Sequence, residues 1–326
     1  MNLTILHRKF GTQSKCIAYL EKLRWGNTPA CIHCGSTNVV QRKDSIKWHC
    51  NDENKDFSVL IGTIFENTRL PLPKFFEIMF LMNNAKMGIS AAEISRAVGV
   101  KYQTAWFACH RTRCCMVDKE IRLEGMIEMD ETYVGGKPRK KYDKDENVAN
   151  LSRVTNKRGR GTKKTPVVGV VEKKGQVYVK IVEKLTSRNL LAMLKESVKT
   201  DDSIVITDDF RSYRKFDDVV EHITIKHSEG YGKGIKTVNT IEGFWSILKN
   251  GIRGSFRSVS KKYLPFYLAE FSYKYNKRHL QKDSFTELLK NTVNADKCML
   301  NYKPKRNAKQ IFYSRRRQKK SLSLAG

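Results

Sequence analysis

The hydrophobic pattern of the chain changes period several times along its length. Residues 1–30 and 73–116 carry apolar side chains at helical spacing, most densely from Phe75 to Met82. Residues 31–65 hold cysteines, glycines and short runs typical of small β structures. From residue 121 onward, apolar runs of strand length alternate with amphipathic stretches of helical length. The pattern predicts a helical lead-in, a small β module and more helices, followed by an α/β domain.

The α/β part predicts a mixed sheet with helices on its faces. Its elements follow one another as strand, hairpin, helix, strand, connection and helix, and this order suits a sheet whose two faces are covered by helices. The predicted elements cover residues 126–134, 167–171 with 177–182, 187–199, 203–207, 239–249 and 263–279.

Two short helical runs separated by Gly99 predict a helix-turn-helix. Polar residue types suited to phosphate and base-edge contacts cluster on or near the second run. They are Arg96, Lys101, Gln103, Thr104, His110, Arg111 and Arg113. The alternative is a helical packing module without a nucleic-acid function.

Composition indicates the class of partner. The 326 residues include 62 Lys and Arg against 33 Asp and Glu, a formal net charge of +29, with 40% hydrophobic and 10% aromatic residues. Such an excess attracts double-stranded DNA or RNA by counterion release, and salt weakens this binding steeply. An anionic membrane is the alternative, but no apolar run approaches the roughly 18 residues of a spanning helix. The sequence shows no signal peptide, so a cytoplasmic, nucleoid-associated location is expected.

Two segments are dominated by cations. Residues 137–164 contain eleven Lys and Arg against three acids, and residues 303–320 contain nine and no acid. The first segment predicts a mobile basic insertion and the second a solvated tail. The predicted domains are a lead-in with β module, a helix-turn-helix domain, an α/β catalytic domain and a basic tail. They cover residues 1–66, 67–120, 121–282 and 283–326.

Eight cysteines in a chain of this kind favour thiols or a metal site over disulfides. Cys31 and Cys34 form one knuckle, and Cys50 opens a second. Two such knuckles are typical of a zinc ribbon, because Zn²⁺ takes four tetrahedral nitrogen or sulfur ligands. The second knuckle is incomplete, and loss of the site is one alternative. The candidates for the fourth ligand are Glu53, His33 and His49.

Three carboxylates stand in elements of the α/β part. Asp130 lies in the first apolar strand, Asp208 ends a later one, and Glu242 lies near the start of a helix. Two strand-borne aspartates and a helical glutamate can converge on two hard divalent cations, which prefer oxygen ligands. Two such ions, Mg²⁺ or Mn²⁺, clamp the attacking and leaving oxygens of an in-line phosphoryl displacement. With the basic charge, the cluster predicts an enzyme that cuts or joins nucleic acid.

Each acid has an alternative role. Asp130 can instead cap a helix or lie in a turn, and Asp208 has a rival in its neighbour Asp209. Glu131 is expected on the opposite face from Asp130, because side chains alternate along a strand. Glu242 can simply favour the positive end of its helix.

Three further residues accompany the acids. Lys249 lies two turns after Glu242 on the same helix face, where it can contact a DNA phosphate or remain a solvated lysine. Asn239 can cap the helix or help to orient an oxygen ligand of the metal. His227 can contact phosphate or polarise a carboxylate, although a lone histidine is more often structural.

These motifs resemble those of ISXO-type DDE transposases of bacterial insertion sequences, over roughly residues 15–280. The run 130–137, Asp-Glu-Thr-Tyr-Val-Gly-Gly-Lys, looks like the first catalytic block. The second block is resembled by Thr207-Asp208 with Tyr213 and His227-Ser228, and the third by the run 239–249, Asn-Thr-Ile-Glu-Gly-Phe-Trp-Ser-Ile-Leu-Lys. Upstream, residues 57–65 and Thr104-Ala105-Trp106 match the family's zinc ribbon and helix-turn-helix.

The resemblance implies a ribonuclease-H-like catalytic domain, Mg²⁺ dependence and recognition of terminal inverted repeats. The acids would be Asp130, Asp208 and Glu242, accompanied by Asn239 and Lys249. Cleavage would expose a 3′-OH that the same site joins to a target strand. Because two element ends must be joined in concert, a homo-oligomer on DNA is expected. The ribbon's fourth cysteine is replaced by glutamate, the one clear departure. The alternatives are a metal-dependent nuclease or resolvase of the same fold, a non-catalytic DNA-binding protein, and an immobile relic.

Overall fold

The computed structural model describes residues 1–43, 45–117, 121–135, 162, 164–225 and 237–293. Its internal contacts divide the chain into two units, Met1–Asp118 with Pro265–Gly326 and Lys119–Leu264. Within the described ranges, no helix is long and apolar enough to cross a membrane. The predicted tail at 303–320, nearly all of the predicted basic insertion and His227 lie outside the described residues.

Unit 1 begins with two helices and a small sheet, in the order that the hydrophobic pattern predicts. The helices are α1 (Leu3–Phe10) and α2 (Gln13–Trp25). The sheet has three antiparallel strands, β1 (Val39–Gln41), β2 (Trp48–Cys50) and β3 (Lys55–Phe57), in that order. This sheet is the predicted β module, and it carries the cysteine knuckles.

Three further helices of unit 1 follow: α3 (Leu72–Asn84), α4 (Ala91–Val98) and α5 (Tyr102–Cys115). Helix α4 begins at Ser90, whose hydroxyl accepts a hydrogen bond from the backbone N–H three residues later. It ends at Gly99, which takes the left-handed conformation with φ +66° that favours glycine. Two helices separated by a glycine turn are present where they were predicted, and both the helix-turn-helix and its DNA-binding role remain predictions.

Unit 2 is built on a five-stranded mixed sheet in the order β6-β5-β4-β7-β8. The pairs β4/β5 and β5/β6 are antiparallel, whereas β4/β7 and β7/β8 are parallel. This is the ribonuclease-H-like arrangement, and the predicted fold class is confirmed. The elements are β4 (Leu123–Val134), β5 (Thr165–Glu172), β6 (Val177–Ile181), α6 (Ser187–Ser197), β7 (Val198–Asp208), a 3-10 helix (Arg211–Phe216), β8 (Glu221–Ile225), α7 (Asn239–Gly251) and a π-helical turn (Ile252–Phe256).

The two faces of the sheet are covered by different helices. Ile127 and Met129 of β4 pack in one buried cluster with Leu190 and Leu194 of α6. Helix α7 covers the other face, where its residue Trp245 reaches the neighbouring β4 residue Asp130. Strand alternation therefore sends odd-numbered positions of β4 toward α6 and even-numbered ones toward α7.

The end of the described chain returns to unit 1 as α8 (Leu264–Asn276) and α9 (Ser284–Val293). The ring of Phe285 in α9 lies 5.4 Å from that of Phe80 and 6.5 Å from that of Phe10. This division differs from the predicted domain boundaries, which assigned residues up to 282 to the catalytic domain and began a tail at 283. The apolar face of α9 fills the helical core, so the chain remains packed through residue 293.

Candidate active site and metal centre

Asp130 and Asp208 lie at corresponding positions of the adjacent parallel strands β4 and β7. The register pairs Glu128 with Ile206, and continuing it by two residues sets Asp130 level with Asp208. Asp208 is the last residue of β7, and its Oδ1 accepts a hydrogen bond from the backbone N–H of Phe210 at 3.2 Å. Two of the three predicted acids are thus placed together by sheet register.

The environment of Asp130 opposes its ionisation. Burial raises the pKa of this carboxyl to about 7, and the charges of Glu131 and Asp208 push it in the same direction. Trp245 Nε1 donates a hydrogen bond of 3.0 Å to Asp130 Oδ2, which works in the opposite sense. A partly buried carboxyl crowded by other carboxyls is a favourable place for a cation, which would relieve the repulsion.

Glu242 is exposed on the first turn of α7, three residues before Trp245. Its neighbours Ile241 and Trp245 are buried against the sheet, so the helix presents Glu242 at the margin of this contact. Within the part of the chain that the structure describes, the three acids do not form a group with all ligand atoms within 4.8 Å of one another. Glu242 belongs to the helix beside the aspartates without closing a compact three-carboxylate cluster.

The other predicted residues of α7 are also exposed. Lys249 lies in its last turn. Asn239 is the first helical residue, and the capping position belongs to Val238, which makes no side-chain cap. The capping role predicted for Asn239 is therefore wrong, because the helix begins one residue earlier than a cap at this position requires. Its alternative role toward a metal remains a prediction.

The acids next to the two aspartates, Glu131 and Asp209, lie outside the site. Tyr213 Oη donates a hydrogen bond of 3.0 Å to Glu131 Oε2 on the α6 side of the sheet. The expectation that Glu131 points away from Asp130 is confirmed. Asp209, the rival of Asp208, is exposed just beyond the end of β7.

Sequence reasoning missed two residues that shape this site. Glu128 is fully buried on β4 and accepts hydrogen bonds from the start of α7. Gly169 of β5 lies opposite Asp130, where a Cβ would stand 2.6 Å from the ring of Trp245 and 2.9 Å from Ile241. A glycine inside an otherwise valine-rich strand is the signal that marks such a close approach.

The three cysteines of the β module form a compact thiol cluster, defined as Cys31, Cys34 and Cys50. Their sulfur atoms all lie within 4.8 Å of one another, and Cys34 Sγ is 3.6 Å from Cys50 Sγ. Burial acts to raise the pKa of Cys31, but hydrogen bonds from the backbone at Cys34 and His33 outweigh it, so the pKa is lowered. Three converging sulfurs are a donor set that fits tetrahedral Zn²⁺.

The candidates for a fourth ligand differ in position. His49 Nδ1 lies 2.8 Å from Asp56 Oδ1, on the face of β2 opposite to Cys50. His49 is therefore excluded as a ligand, because adjacent strand residues point to opposite faces. Glu53 Oε2 lies 2.7 Å from Lys55 Nζ. The pKa of Lys55 is raised by this contact first, and also by the charges of Cys31 and Cys34. Glu53 and the exposed His33 remain candidates beside the thiols.

The residues predicted to contact DNA divide into an exposed and an internal group. Arg96, Lys101 and Gln103 are exposed, and Thr104 is half-buried. Arg111 is half-buried and donates through Nη1 to the carbonyl oxygens of Ile64 and Glu66 at 2.9 and 3.0 Å. It joins α5 to the segment before α3, so its predicted role in DNA contact is corrected to a structural one.

Arg113 is a second correction. Its side chain is 2% exposed and its Nε lies 2.7 Å from Glu270 Oε2 in α8, so it cannot reach a groove. His110 on the same helix is fully buried, and burial together with the charge of Arg113 lowers its pKa to about 2. The second half of α5 is largely buried and contacts α8, whereas Tyr102, Gln103 and Phe107 in its first half are exposed.

The fold and these two clusters are those of a ribonuclease-H-like protein that carries a ribbon. Residues 122–276 match the ISXO2-like transposase domain, and residues 11–52 match the transposase zinc-ribbon domain. An uncharacterised transposase-like protein of Haemophilus influenzae is 33% identical over 109 residues, which span 33% of this chain and 87% of that protein. The chain belongs to the ISXO2-like transposase family.

Other proteins resemble the chain at lower sequence identity. An uncharacterised protein in the transposable element ISH50 of Halobacterium salinarum is 26% identical over 275 residues, 81% of this chain and 91% of that protein. The Mos1 strand transfer complex aligns at 12% identity over 67% of this chain and 78% of its own, with a TM-score of 0.25. The Mos1 paired-end complex with left transposon end aligns at 12% identity over 89% and 96%, with a TM-score of 0.27. Scores this low say nothing about the geometry of the site.

Proposed function

We propose that this protein is a DNA transposase that binds the terminal inverted repeats of an insertion sequence and catalyses DNA cleavage and 3′-OH strand transfer. The observation that carries the proposal is the position of Asp130, inside β4, level with Asp208, the last residue of the adjacent parallel strand β7, and in contact with Trp245 of α7. The formal charge of +29 suits a polyphosphate substrate. Family membership supports the same conclusion.

The donor set at this site fits hard divalent cations. Carboxylate oxygens are the ligands that Mg²⁺ and Mn²⁺ prefer, and the pKa of Asp130 is raised by burial and by neighbouring negative charge, a cost that a cation offsets. Asp130, Asp208 and Glu242 would hold two such ions. The ions would supply charge stabilisation for the attacking and leaving oxygens of an in-line displacement.

The chain's own groups would position the reactants. Trp245 Nε1 donates a hydrogen bond to Oδ2 of Asp130 and would fix the orientation of this carboxylate toward the ions. Glu242 would complete the site from the exposed edge of α7, and Lys249, two turns later, would contact a phosphate of the same strand. Asn239 would orient an oxygen ligand. Cleavage and joining then need no covalent protein intermediate, because the second step reuses the site with a 3′-OH in place of water.

The remaining machinery of the proposal concerns binding. Arg96, Lys101 and Gln103 of the exposed helix-turn-helix surface would contact the element ends, and the ribbon would hold a structural Zn²⁺ on the thiol cluster. Two ends must be joined in concert, so we infer a homo-oligomer on DNA. Replacing Lys101 by Ala should make DNA binding less sensitive to salt. The slope of log K against log salt concentration should become shallower by about 0.9 for each phosphate contact that is lost.

A strand-transfer assay tests the proposal. Purified protein, Mg²⁺, a labelled duplex of the repeats that flank the reading frame and a plasmid target would be combined for wild type, Glu242→Ala and Glu124→Ala. Glu124 is an exposed acid of β4 that pairs with Lys199, and serves as the matched control. Joined product from wild type and the control, and none from Glu242→Ala, is the expected result.

Other outcomes would separate the alternatives. Cleavage without joining would favour a nuclease or resolvase. Binding with neither reaction would favour a non-catalytic DNA-binding protein or a relic. Near-normal transfer by Glu242→Ala would remove Glu242 from the site.

A further inference from the structure

Helix α7 has no cap of its own. The residue before it is Val238, which offers no side-chain acceptor to the first N–H groups of the helix. Such N–H groups need partners when the helix end is buried. Glu128 of β4, on the sheet face that α7 covers, supplies one such partner: its Oε2 accepts from the backbone N–H of Ile241 at 2.9 Å, and its Oε1 accepts from the hydroxyl Oγ1 of Thr240 at 2.8 Å.

Glu128 is also the most deeply enclosed carboxylate near the site, with a side chain 0% exposed. Lys173 Nζ lies 3.8 Å from its Oε1 and 3.5 Å from Thr237 Oγ1, so a cation accompanies the buried charge. The positive end of the α7 dipole faces it as well. A buried carboxylate is costly unless it is satisfied in this way, and here each of its oxygens has a donor.

The position of Glu128 connects the acids. It precedes Asp130 by two residues and lies on the same face of β4, and its acceptor contact falls on Ile241, the residue before Glu242. Trp245 forms a second connection, to Asp130 itself, and Gly169 leaves the space that lets α7 approach this closely. Glu128 is therefore one of the contacts that hold the strand of the first acid against the helix of the third, and the one nearest to Glu242 along α7.

We propose that Glu128 is a positioning residue for Glu242: it anchors the first turn of α7 so that this exposed carboxylate reaches ions held by Asp130 and Asp208. The inference rests on the proposed function. Glu128 itself touches neither substrate nor ion, and acts through Thr240 and Ile241. A purely structural contact would lower stability on removal and would leave the affinity for metal unchanged.

The test compares Glu128→Gln with a control that weakens another helix-to-strand hydrogen bond of a glutamate in unit 2. Glu196 of α6 accepts from Tyr178 Oη at 3.1 Å and from Lys180 Nζ at 2.7 Å, away from the acids. Glu196→Gln therefore weakens a helix-to-strand contact whose carboxylate is 35% exposed and lies outside the site. Free Mn²⁺ would be followed by electron paramagnetic resonance as it is titrated into each zinc-loaded full-length protein, with Asp208→Asn as the blank. Melting temperatures and the Mn²⁺ dependence of cleavage would be measured alongside.

We expect Glu128→Gln to weaken Mn²⁺ binding by about tenfold or more, the range seen when a residue supporting a metal ligand is lost. The Mn²⁺ concentration for half-maximal cleavage should rise by the same factor. Glu196→Gln should lower the melting temperature and leave both metal readouts as in wild type. Wild-type Mn²⁺ affinity in Glu128→Gln, whatever its melting temperature, would overturn the inference.

A milder variant covers the case in which Glu128→Gln does not fold. Thr240→Val removes only the hydroxyl donor, and Thr240→Ser restores it; weaker Mn²⁺ binding by the first and recovery by the second are expected, and equal affinities would overturn the inference. If wild type neither cleaves nor joins DNA while these variants still weaken Mn²⁺ binding, the proposed function falls and the positioning role stands. Absence of any Mn²⁺ binding by wild type above the Asp208→Asn blank would overturn both.

Discussion

The thiol cluster and the carboxylate site are assembled in opposite ways. The thiols come from one short stretch, in which a turn at residues 31–36 and the pairing of β1 with β2 bring their sulfurs within 4.8 Å. The carboxylates come from β4, β7 and α7, and they converge only through sheet register and the docking of a helix. We expect metal binding at the thiol cluster to stabilise the β module, whereas the carboxylate site forms on a sheet that its own apolar core stabilises.

The size of the surrounding core explains the difference. The buried apolar residues around the thiols are few, centred on Cys31, Cys50 and Phe57. A core this small rarely stabilises a module without a metal or disulfide. The sheet of unit 2 has its own large cluster of buried aliphatic side chains, which includes Ile127, Val168 and Leu194. Its carboxylates add charge to a partly buried place and are expected to lower the stability of the metal-free fold.

The largest expected effect follows from stripping both kinds of metal. Zinc removal should unfold the β module, since the binding free energy of a structural Zn²⁺ is folding free energy, on the order of 10 kcal/mol in isolated zinc-finger peptides. Removal of Mg²⁺ should leave β4 and β7 folded. Hydrogen exchange over residues 31–57 and 121–135, before and after chelation and after return of Zn²⁺ alone, checks this. Protection of residues 31–57 that survives chelation would contradict the comparison.

A smaller effect is expected from Gly169→Ala. The added Cβ would meet Trp245 at 2.6 Å and Ile241 at 2.9 Å, so α7 must move away from the sheet. Overpacking of this kind should cost about 2–3 kcal/mol and reduce cleavage, because Glu242 moves with the helix. Urea unfolding measures the first effect and the strand-transfer assay the second.

Gly243→Ala in α7 is the matched control for Gly169→Ala. Nothing lies within 4 Å of its added Cβ, and alanine is favoured over glycine in a helix by about 1 kcal/mol. The control should therefore be as stable as wild type or more so. Equal stability of the two variants would mean that α7 can shift without cost, and that its docking does not hold the site together.

The raised pKa of Asp130 predicts a pH-dependent gain from Asp130→Asn. The folded pKa of about 7 lies above the ordinary value of 3.8, so the folded protein binds more protons and wild-type stability falls as pH rises through this window. Asparagine cannot ionise. Without divalent cations, the variant should therefore match wild type near pH 4 and exceed it by on the order of 2 kcal/mol above pH 7.

The measurement is the urea concentration at which β4 loses hydrogen-exchange protection, at pH 4, 6 and 8. Asp209→Asn, a change at an exposed neighbouring acid, should show no such trend. Added Mg²⁺ should reverse the advantage of Asp130→Asn, since a cation stabilises the carboxylate. If the stability difference between Asp130→Asn and wild type were the same at every pH, the folded protein would not raise the pKa of Asp130.

The contrast between the clusters also explains what the sequence predicts. Strand alternation and element order are enough to place Asp130 and Asp208 on neighbouring strands and to turn Glu131 to the other face, because these follow from local geometry and one fold topology. The cysteine spacing is similarly local. These parts of both sites could be predicted.

The parts that could not be predicted depend on distant partners. Arg113 has the residue type of a DNA contact, but Glu270 of α8 takes it into the core. Glu128 looks like one more strand acid, and its role is set by backbone of α7 that lies far along the chain. Helix α9 lies in the segment 283–326 that was predicted as a basic tail, but its residue Phe285 packs against Phe80 in the core. Side-chain periodicity indicates that a face is buried without indicating its partner.

The smallest expected effect concerns the incomplete end of the thiol cluster. Glu53→Cys would complete a four-sulfur set, and tetrahedral sites of this composition suit Zn²⁺. We expect about tenfold tighter zinc binding, or about 1.4 kcal/mol. Loss of the 2.7 Å pair with Lys55 offsets part of the gain. Competition with a chromophoric chelator at neutral pH measures the affinity.

Two matched changes decide which group fills the fourth position in the natural chain. Glu53→Gln should weaken zinc binding if the carboxylate is the ligand, and His33→Ala should weaken it if the imidazole is. Tighter binding by Glu53→Cys with no effect of Glu53→Gln would assign the position to His33 or to water. No gain from Glu53→Cys would mean that β2 and β3 hold residue 53 away from the sulfurs. The thiol cluster would then share the carboxylates' dependence on the surrounding fold, and the contrast between the two sites would narrow.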